Sequence, residues 1–130
     1  MTVSIHKDPT RLGKEAGTAA ASAIKDAIAS NGKANIILAT GTSQFETLQH
    51  LIADKQISWD KVTMFHLDEY IGLPITHPAS FRKYLRERFL AHVPRLAAAH
   101  LINGEVDPQA ECRTLGELIA LHPIDVALVG

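Results

Sequence analysis

Four short apolar runs alternate with helical segments along this chain, and this alternation restricts the fold more than any other feature. The runs cover residues 36–39, 62–65, 100–102 and 124–129. The first is continuously apolar, as in a strand that is buried on both faces, and each of the others contains one polar residue: Thr63, His100 or Asp125. Because parallel strands need a long crossover connection, usually a helix, the pattern predicts βαβ units with right-handed connections. We therefore expect an α/β fold: an open parallel sheet with helices on both faces, a Rossmann-like three-layer arrangement.

The helical segments have recognisable beginnings. Acidic or hydroxyl side chains cap helix amino termini, and proline is favoured at the first helical position. On this basis four helix beginnings are predicted. They are marked by Asp8 before Pro9, by Ser43 in capping-box spacing with Glu46, by Ser80 after His77-Pro78, and by Asp107 before Pro108. Asn31-Gly32 and His122-Pro123 are typical of helix ends, so four helices separate or precede the strands.

The chain is predicted to form a single α/β domain over residues 1–130. Its last predicted strand finishes at Val129-Gly130 without a following loop and helix. Two interpretations remain open: a chain cut at a strand-to-loop junction, or a sheet whose final element is this strand. The first predicts marginal stability, or self-association into a homo-oligomer through an uncovered sheet edge.

Charge and cysteine usage exclude several classes of protein. The chain has 13 Lys and Arg residues and 14 Asp and Glu residues, so its formal net charge is -1. No block of like charge indicates a nucleic-acid or membrane surface, and no apolar run is long enough to cross a bilayer. Cys112 is the only cysteine, so no intrachain disulfide can form and nothing indicates an oxidising compartment. We expect a cytoplasmic protein with no nucleic-acid or membrane partner.

Thr40, Gly41, Thr42 and Ser43 lie between the first predicted strand and the second helix. Free N–H groups and the helix dipole at such a position favour an anion, and three hydroxyls add donors for phosphate oxygens. The segment is neither a Walker A loop nor a GxGxxG motif. A phosphate-binding loop and an ordinary capped βα turn both remain open here.

Two adjacent carboxylates, Asp68 and Glu69, follow the second predicted strand. Ligands of open α/β sheets bind beyond the carboxyl ends of the strands, so one of these acids is a candidate general base. Because consecutive strand side chains point to opposite faces, we expect only one of them to face a ligand. Tyr70, with Gly72 and Pro74, would form the supporting turn. The alternative is a solvated acidic pair that opens a surface loop.

Other polar groups are weaker candidates for chemistry. The best metal-binding hypothesis combines His66, Asp68 and His77, although none of the seven histidines has zinc-motif spacing. Cys112 is interpreted as a bystander on the last helix. A basic cluster in the third helix is interpreted as a solvated face: Arg82, Lys83, Arg86 and Arg88.

Three segments together resemble the glucosamine-6-phosphate deaminase (isomerase) family. They are residues 37–43, residues 65–74 with the run Asp-Glu-Tyr-Ile-Gly-Leu-Pro, and residues 77–81 with His-Pro-Ala-Ser-Phe. Their order and spacing match, and the similarity covers about the amino-terminal half of a family member. Thr42 stands where the family's phosphate loop often has a second glycine. The related 6-phosphogluconolactonases would be expected to show Asp-Glu-Arg instead.

The resemblance implies an enzyme that converts glucosamine 6-phosphate and water to fructose 6-phosphate and ammonia, without a metal or redox cofactor. It implies that Asp68 moves a proton between C2 and C1 of the open-chain sugar. It also implies that Thr40, Gly41, Thr42 and Ser43 hold the phosphate. The residues that open the sugar ring would follow Gly130, so we expect residues 1–130 alone to be inactive. A sugar-phosphate lactonase and a non-catalytic sugar-phosphate sensor stay open as alternatives.

Overall fold

The computed structural model describes residues 2–130 and contains one parallel four-stranded sheet. The elements follow one another in the order α1 (Pro9–Asn31), β1 (Ala34–Leu38), α2 (Phe45–Ala53), β2 (Val62–His66), α3 (Phe81–Arg88), β3 (Ala98–His100), α4 (Pro108–Ala120) and β4 (Val126–Leu128). The strand order across the sheet is β3-β2-β1-β4. The predicted α/β fold with a parallel sheet is confirmed.

Helix ends largely follow the chemistry of their caps. Asp8 accepts a hydrogen bond from the N–H of Arg11 at 2.8 Å, and Gly32 ends α1 with φ 75°. Ser80 caps α3 and Asp107 caps α4 in the same manner as Asp8. Each cap supplies an acceptor to an N–H group that has no partner inside its helix.

The predicted capping box at Ser43 and Glu46 is wrong. Thr42–Gln44 form a short 3-10 turn, Gly41 precedes that turn, and α2 begins only at Phe45. No side chain caps either segment. Ser43 lies inside the turn, two residues past Gly41, which occupies the cap position of the turn, and one residue before Gln44, which occupies the cap position of α2. Glu46 instead packs closely against Gly13 of α1 through its Cβ and backbone atoms.

One face of the sheet carries the main hydrophobic core. Ile36, Leu38, Val62 and Met64 of the two central strands are buried there together with residues of three helices: Ile24 of α1, Leu48 and Leu51 of α2, and Leu85 of α3 with the following Phe89. Phe65 points to the opposite face, where its ring lies 5.6 Å from the ring of His122 after α4. Helix α4 itself has no buried residue.

The strands end differently from the prediction mainly at the sheet edges. β3 covers Ala98–His100 rather than 100–102, because it pairs with Thr63 to Phe65 of β2. β4 is limited to Val126–Leu128, the three residues that pair with β1. No helix within residues 2–130 combines the length and apolar character needed to span a membrane.

Candidate active site

Two loops leave the sheet side by side at its carboxyl edge. β1 and β2 are paired in parallel with Leu38 opposite His66, and the N–H of Leu67 donates to the carbonyl of Leu38 at 3.0 Å. The loop of residues 39–44 therefore begins next to the loop of residues 67–74. The sheet thus brings the predicted phosphate segment and the predicted base to one edge, where open α/β sheets bind ligands.

Backbone donors are free in the first loop. Gly41 has φ 127° and ψ 170°, and its carbonyl accepts the N–H of Gln44 at 3.1 Å. Within residues 2–130, no group accepts a hydrogen bond from the N–H of Gly41, Thr42 or Ser43. The Oγ1 atom of Thr40 is buried and also lacks a partner in this part of the chain. Unpaired donors at a helical amino terminus suit an anionic ligand.

The two adjacent acids in the second loop have opposite environments. Asp68 is exposed at the sheet edge, whereas the side chain of Glu69 is completely buried. Glu69 accepts hydrogen bonds from the amino terminus of α3: from Ser80 Oγ at 2.8 Å, the N–H of Phe81 at 3.1 Å and the N–H of Arg82 at 2.9 Å. Of the two carboxylates, only Asp68 is available to a ligand.

The pKa of Glu69 reflects those hydrogen bonds. Burial alone would raise the pKa of this carboxyl group, because the charged form loses water. Donors from the N–H groups of Arg82, Tyr70 and Phe81 and from the hydroxyl of Ser80 outweigh burial and lower the pKa to about 2. Glu69 is therefore a fixed anion and a structural acceptor rather than a proton carrier.

Arg82 is not part of a solvated basic face, so that prediction is wrong for this residue. Its side chain is 7% exposed and contacts Glu69 through Nε at 3.2 Å. It also donates to the carbonyl of Leu73 at 2.8 Å, to Asn103 Oδ1 at 3.1 Å and to Glu105 Oε2 at 2.9 Å. Arg82 thereby holds the loop of residues 67–74 against the loop that follows β3.

The importance of Arg82 was missed in the sequence, although one signal was present. Arg82, Leu85 and Phe89 are spaced at i, i+3 and i+7, so the arginine shares the buried face of α3. Gly104 was missed as well: its carbonyl accepts the N–H of Gly72 at 2.6 Å. A side chain at Gly104 would collide with the Tyr70 carbonyl, and sequence spacing gives no sign of this contact.

Tyr70 supports the loop through its ring. The side chain is half-exposed, and its ring centroid lies 4.9 Å from that of Phe81, the first residue of α3. Gly72 adopts φ 76°, a left-handed conformation that glycine accepts without strain. The turn predicted around Tyr70 and Gly72 is present, and α3 is the element that fixes it.

The histidines do not assemble the hypothesised metal site. His66 is buried, and its Nδ1 accepts the N–H of Ile102 at 3.4 Å, while Nδ1 of His77 accepts the N–H of Ala79 at 3.1 Å. Burial lowers the pKa of His66, against the opposing charges of Glu69 and Asp68. The described residues contain no group of three or more metal-ligating side chains close enough to hold an ion.

A cavity of about 930 Å³ opens beside the first loop. Thr42 and Ser43 line it together with Gly130 after β4 and the apolar side of α1. Asp68 is not among its lining residues. The described residues thus place a loop with free N–H groups and an exposed carboxylate at neighbouring strand ends, without enclosing both in one pocket.

Comparison with known proteins agrees with this arrangement. Residues 7–130 match the family described as glucosamine-6-phosphate isomerases/6-phosphogluconolactonase. A glucosamine-6-phosphate deaminase of Lactobacillus delbrueckii subsp. bulgaricus is 30% identical over 131 residues, which is 100% of this chain and 53% of the relative. The solved structure of a monomeric glucosamine-6-phosphate deaminase superposes with a TM-score of 0.80 at 29% identity, covering 93% of this chain and 51% of that one.

A 6-phosphogluconolactonase from Shewanella baltica OS155 shares the fold, with a TM-score of 0.82 at 21% identity over 94% of this chain and 53% of that one. The chain therefore spans about half the length of the relatives that it matches. The resemblance inferred from the three sequence segments is confirmed. This chain belongs to the family of glucosamine-6-phosphate isomerases and 6-phosphogluconolactonases.

Proposed function

We propose that this chain carries the base and the phosphate loop of an amino-sugar-phosphate isomerase/deaminase. The observation that carries the proposal is the placement of an exposed carboxylate, Asp68, at the end of β2 beside the free N–H groups of residues 41–43. If the phosphate group of a sugar were bound at that loop, the carbon chain of the sugar would extend toward Asp68.

In this proposal Asp68 removes the proton from C2 of open-chain glucosamine 6-phosphate and returns a proton to C1. The C2 proton is acidic because C1 is a carbonyl carbon. The product is the imine of fructose 6-phosphate at C2, and water then releases ammonia and fructose 6-phosphate. Because the chain spans about half of its relatives, groups beyond residue 130 are needed to open the ring, and we expect residues 1–130 alone to be inactive.

A lactonase acting on 6-phosphogluconolactone and a non-catalytic sugar-phosphate sensor are the alternatives. Tyr70 follows the two acids where the lactonase resemblance would require arginine, which favours the deaminase. The discriminating assay offers both substrates to the polypeptide that carries this sequence, meaning the full-length gene product rather than residues 1–130 alone. Ammonia from glucosamine 6-phosphate supports the proposal, whereas lactone hydrolysis without ammonia, or binding without turnover, contradicts it.

The phosphate role of the first loop has a direct test in Gly41→Val. Valine is strained at φ 127° and would reshape the backbone donors. We expect KM for the phosphorylated sugar to rise at least about tenfold, because a group that contacts only the phosphate binds the substrate and the transition state equally strongly. KM for unphosphorylated glucosamine should change less than about twofold, since that sugar has no phosphate group to bind.

Gly32→Val is the matched control for this variant. Gly32 also has a positive φ, 75°, but it lies at the end of α1 away from the loop. It should lower stability without changing the preference for the phosphorylated sugar. An equal loss for both sugars in Gly41→Val would contradict the phosphate role.

A further inference from the structure

Helix α3 contacts the first loop through Tyr84. The Tyr84 hydroxyl donates to the Gly41 carbonyl at 2.9 Å, across 43 residues of sequence. The ring is held in place by stacking on Phe45, the first residue of α2, with centroids 5.6 Å apart. The Arg88 guanidinium lies 3.8 Å from the centre of the Phe45 ring and adds a cation–π contact. The direction of the Tyr84 hydroxyl is therefore fixed by two helices.

This contact completes the hydrogen bonding of the Gly41 carbonyl. A carbonyl oxygen has two lone pairs, and here one accepts the N–H of Gln44 at 3.1 Å and the other the hydroxyl of Tyr84. Both bonds hold the plane of the peptide between Gly41 and Thr42. In a trans peptide the C=O and N–H groups point in opposite directions. Because the carbonyl points to α3, the N–H of Thr42 points away from α3.

We propose that Tyr84 is a positioning residue for phosphate binding, which orients the N–H of Thr42 toward the anion by fixing the Gly41 carbonyl. This inference rests on the proposed function of the loop and adds a residue that the motif resemblance does not include. Without the hydroxyl, the Gly41–Thr42 peptide can rotate, and glycine offers little resistance to that rotation. Part of the binding energy for phosphate would then be lost in ordering the loop.

The same helix fixes the base. The amino terminus of α3 donates three hydrogen bonds to Glu69, the residue next to Asp68, while Tyr84 lies one turn further along. One rigid element thus sets the distance between the phosphate loop and the base. Burial raises the pKa of the Tyr84 hydroxyl, against the charge of Arg88, so the hydroxyl stays a donor at neutral and mildly alkaline pH.

The test is Tyr84→Phe in the polypeptide that carries this sequence. Phenylalanine keeps the stacking on Phe45 and removes only the hydroxyl. Loss of a neutral hydrogen bond predicts about fivefold weaker binding of inorganic phosphate, followed by the amide NMR signals of Thr42 and Ser43. KM for glucosamine 6-phosphate should rise by the same factor while kcat stays within about twofold. Thr114→Val is the control, because it removes a hydroxyl that donates to a backbone carbonyl at 3.1 Å in α4.

The outcomes separate this inference from the proposed function. Wild-type binding of phosphate that weakens in Tyr84→Phe, but not in Thr114→Val, supports the inference. Wild-type binding that is unchanged in Tyr84→Phe overturns the inference and leaves the proposed function standing. Absence of phosphate binding and of ammonia release in the wild type overturns both. If Tyr84→Phe unfolds, the NMR order parameter of the wild-type Thr42 amide decides: a value near about 0.85, typical of rigid backbone, supports the inference, and a value below about 0.6 contradicts a fixed loop.

Discussion

The neighbouring carboxylates of Asp68 and Glu69 differ in burial and in hydrogen bonding, because each has different partners. Glu69 has four N–H and O–H donors and the Nε of Arg82, which together keep it ionised and buried. Asp68 remains exposed at the surface. The buried acid thus orients the loop, and its exposed neighbour is free for the proton transfer proposed above.

This difference predicts a pH dependence of stability. The pKa of Glu69 is lowered from 4.5 to about 2 on folding, so its contribution is complete above about pH 4.5 and is lost as the pH falls toward 2. Glu69→Gln should reduce the free energy of unfolding by about 2–3 kcal/mol at pH 7, since charge-assisted hydrogen bonds are lost. The deficit relative to wild type should shrink at pH 3.

Urea unfolding at the two pH values measures this deficit. Glu117→Gln, on the exposed side of α4, is the control and should change stability by less than about 0.5 kcal/mol. A deficit in Glu69→Gln that is the same at pH 7 and pH 3, or no larger than that of Glu117→Gln, would show that Glu69 is not the ionised anchor of the loop.

At the scale of elements, α1 and α2 approach closely because glycine faces the contact. A side chain at Gly17 would place its Cβ 2.7 Å from the Cβ of His50 and 2.9 Å from the carbonyl oxygen of Thr47. Such distances are too short for any side chain, so the helices would have to separate. The pair forms much of the core layer on one face of the sheet.

Gly17→Ala should therefore lower the free energy of unfolding by about 1–2 kcal/mol, since overpacking costs more than the gain in helix propensity. Gly116→Ala is the matched control in α4, where a Cβ would meet nothing within 4 Å. That variant should be stabilised by about 0.5–1 kcal/mol. Thermal or urea unfolding gives both values, and stabilisation of Gly17→Ala would contradict the close packing of α1 on α2.

Interactions between residues close in sequence could be predicted from the sequence, whereas interactions between distant residues could not. Caps such as Asp8, Ser80 and Asp107 act within one turn of their own helix, so local residue types were sufficient to find them. The partners of Arg82 lie 9 to 23 residues away, and the contact between Tyr84 and Gly41 spans 43 residues. Such contacts depend on how α3 packs against the sheet, which local patterns do not encode.

In the molecule as a whole, β1 pairs in parallel with β2 and α3 is attached to both loops. This arrangement brings the proposed phosphate loop and the proposed base to one edge of the sheet. β4 places Gly130 against Ser43 and Gln44, so residues that continue from β4 would begin at this site. In the proposed enzyme these later residues open the sugar ring. In the same proposal, residues 1–130 supply the proton transfer at C2.

The proposed role of Asp68 as the base is tested by exchange of the C2 hydrogen of the sugar with solvent in deuterium oxide. It is measured with wild type and Asp68→Asn of the polypeptide that carries this sequence. Asparagine keeps the shape of the side chain and removes its basicity, so exchange and turnover should fall by about 10²–10⁴-fold. Substrate affinity should stay within a few-fold. Exchange in Asp68→Asn as fast as in wild type would contradict the assignment of Asp68 as the base.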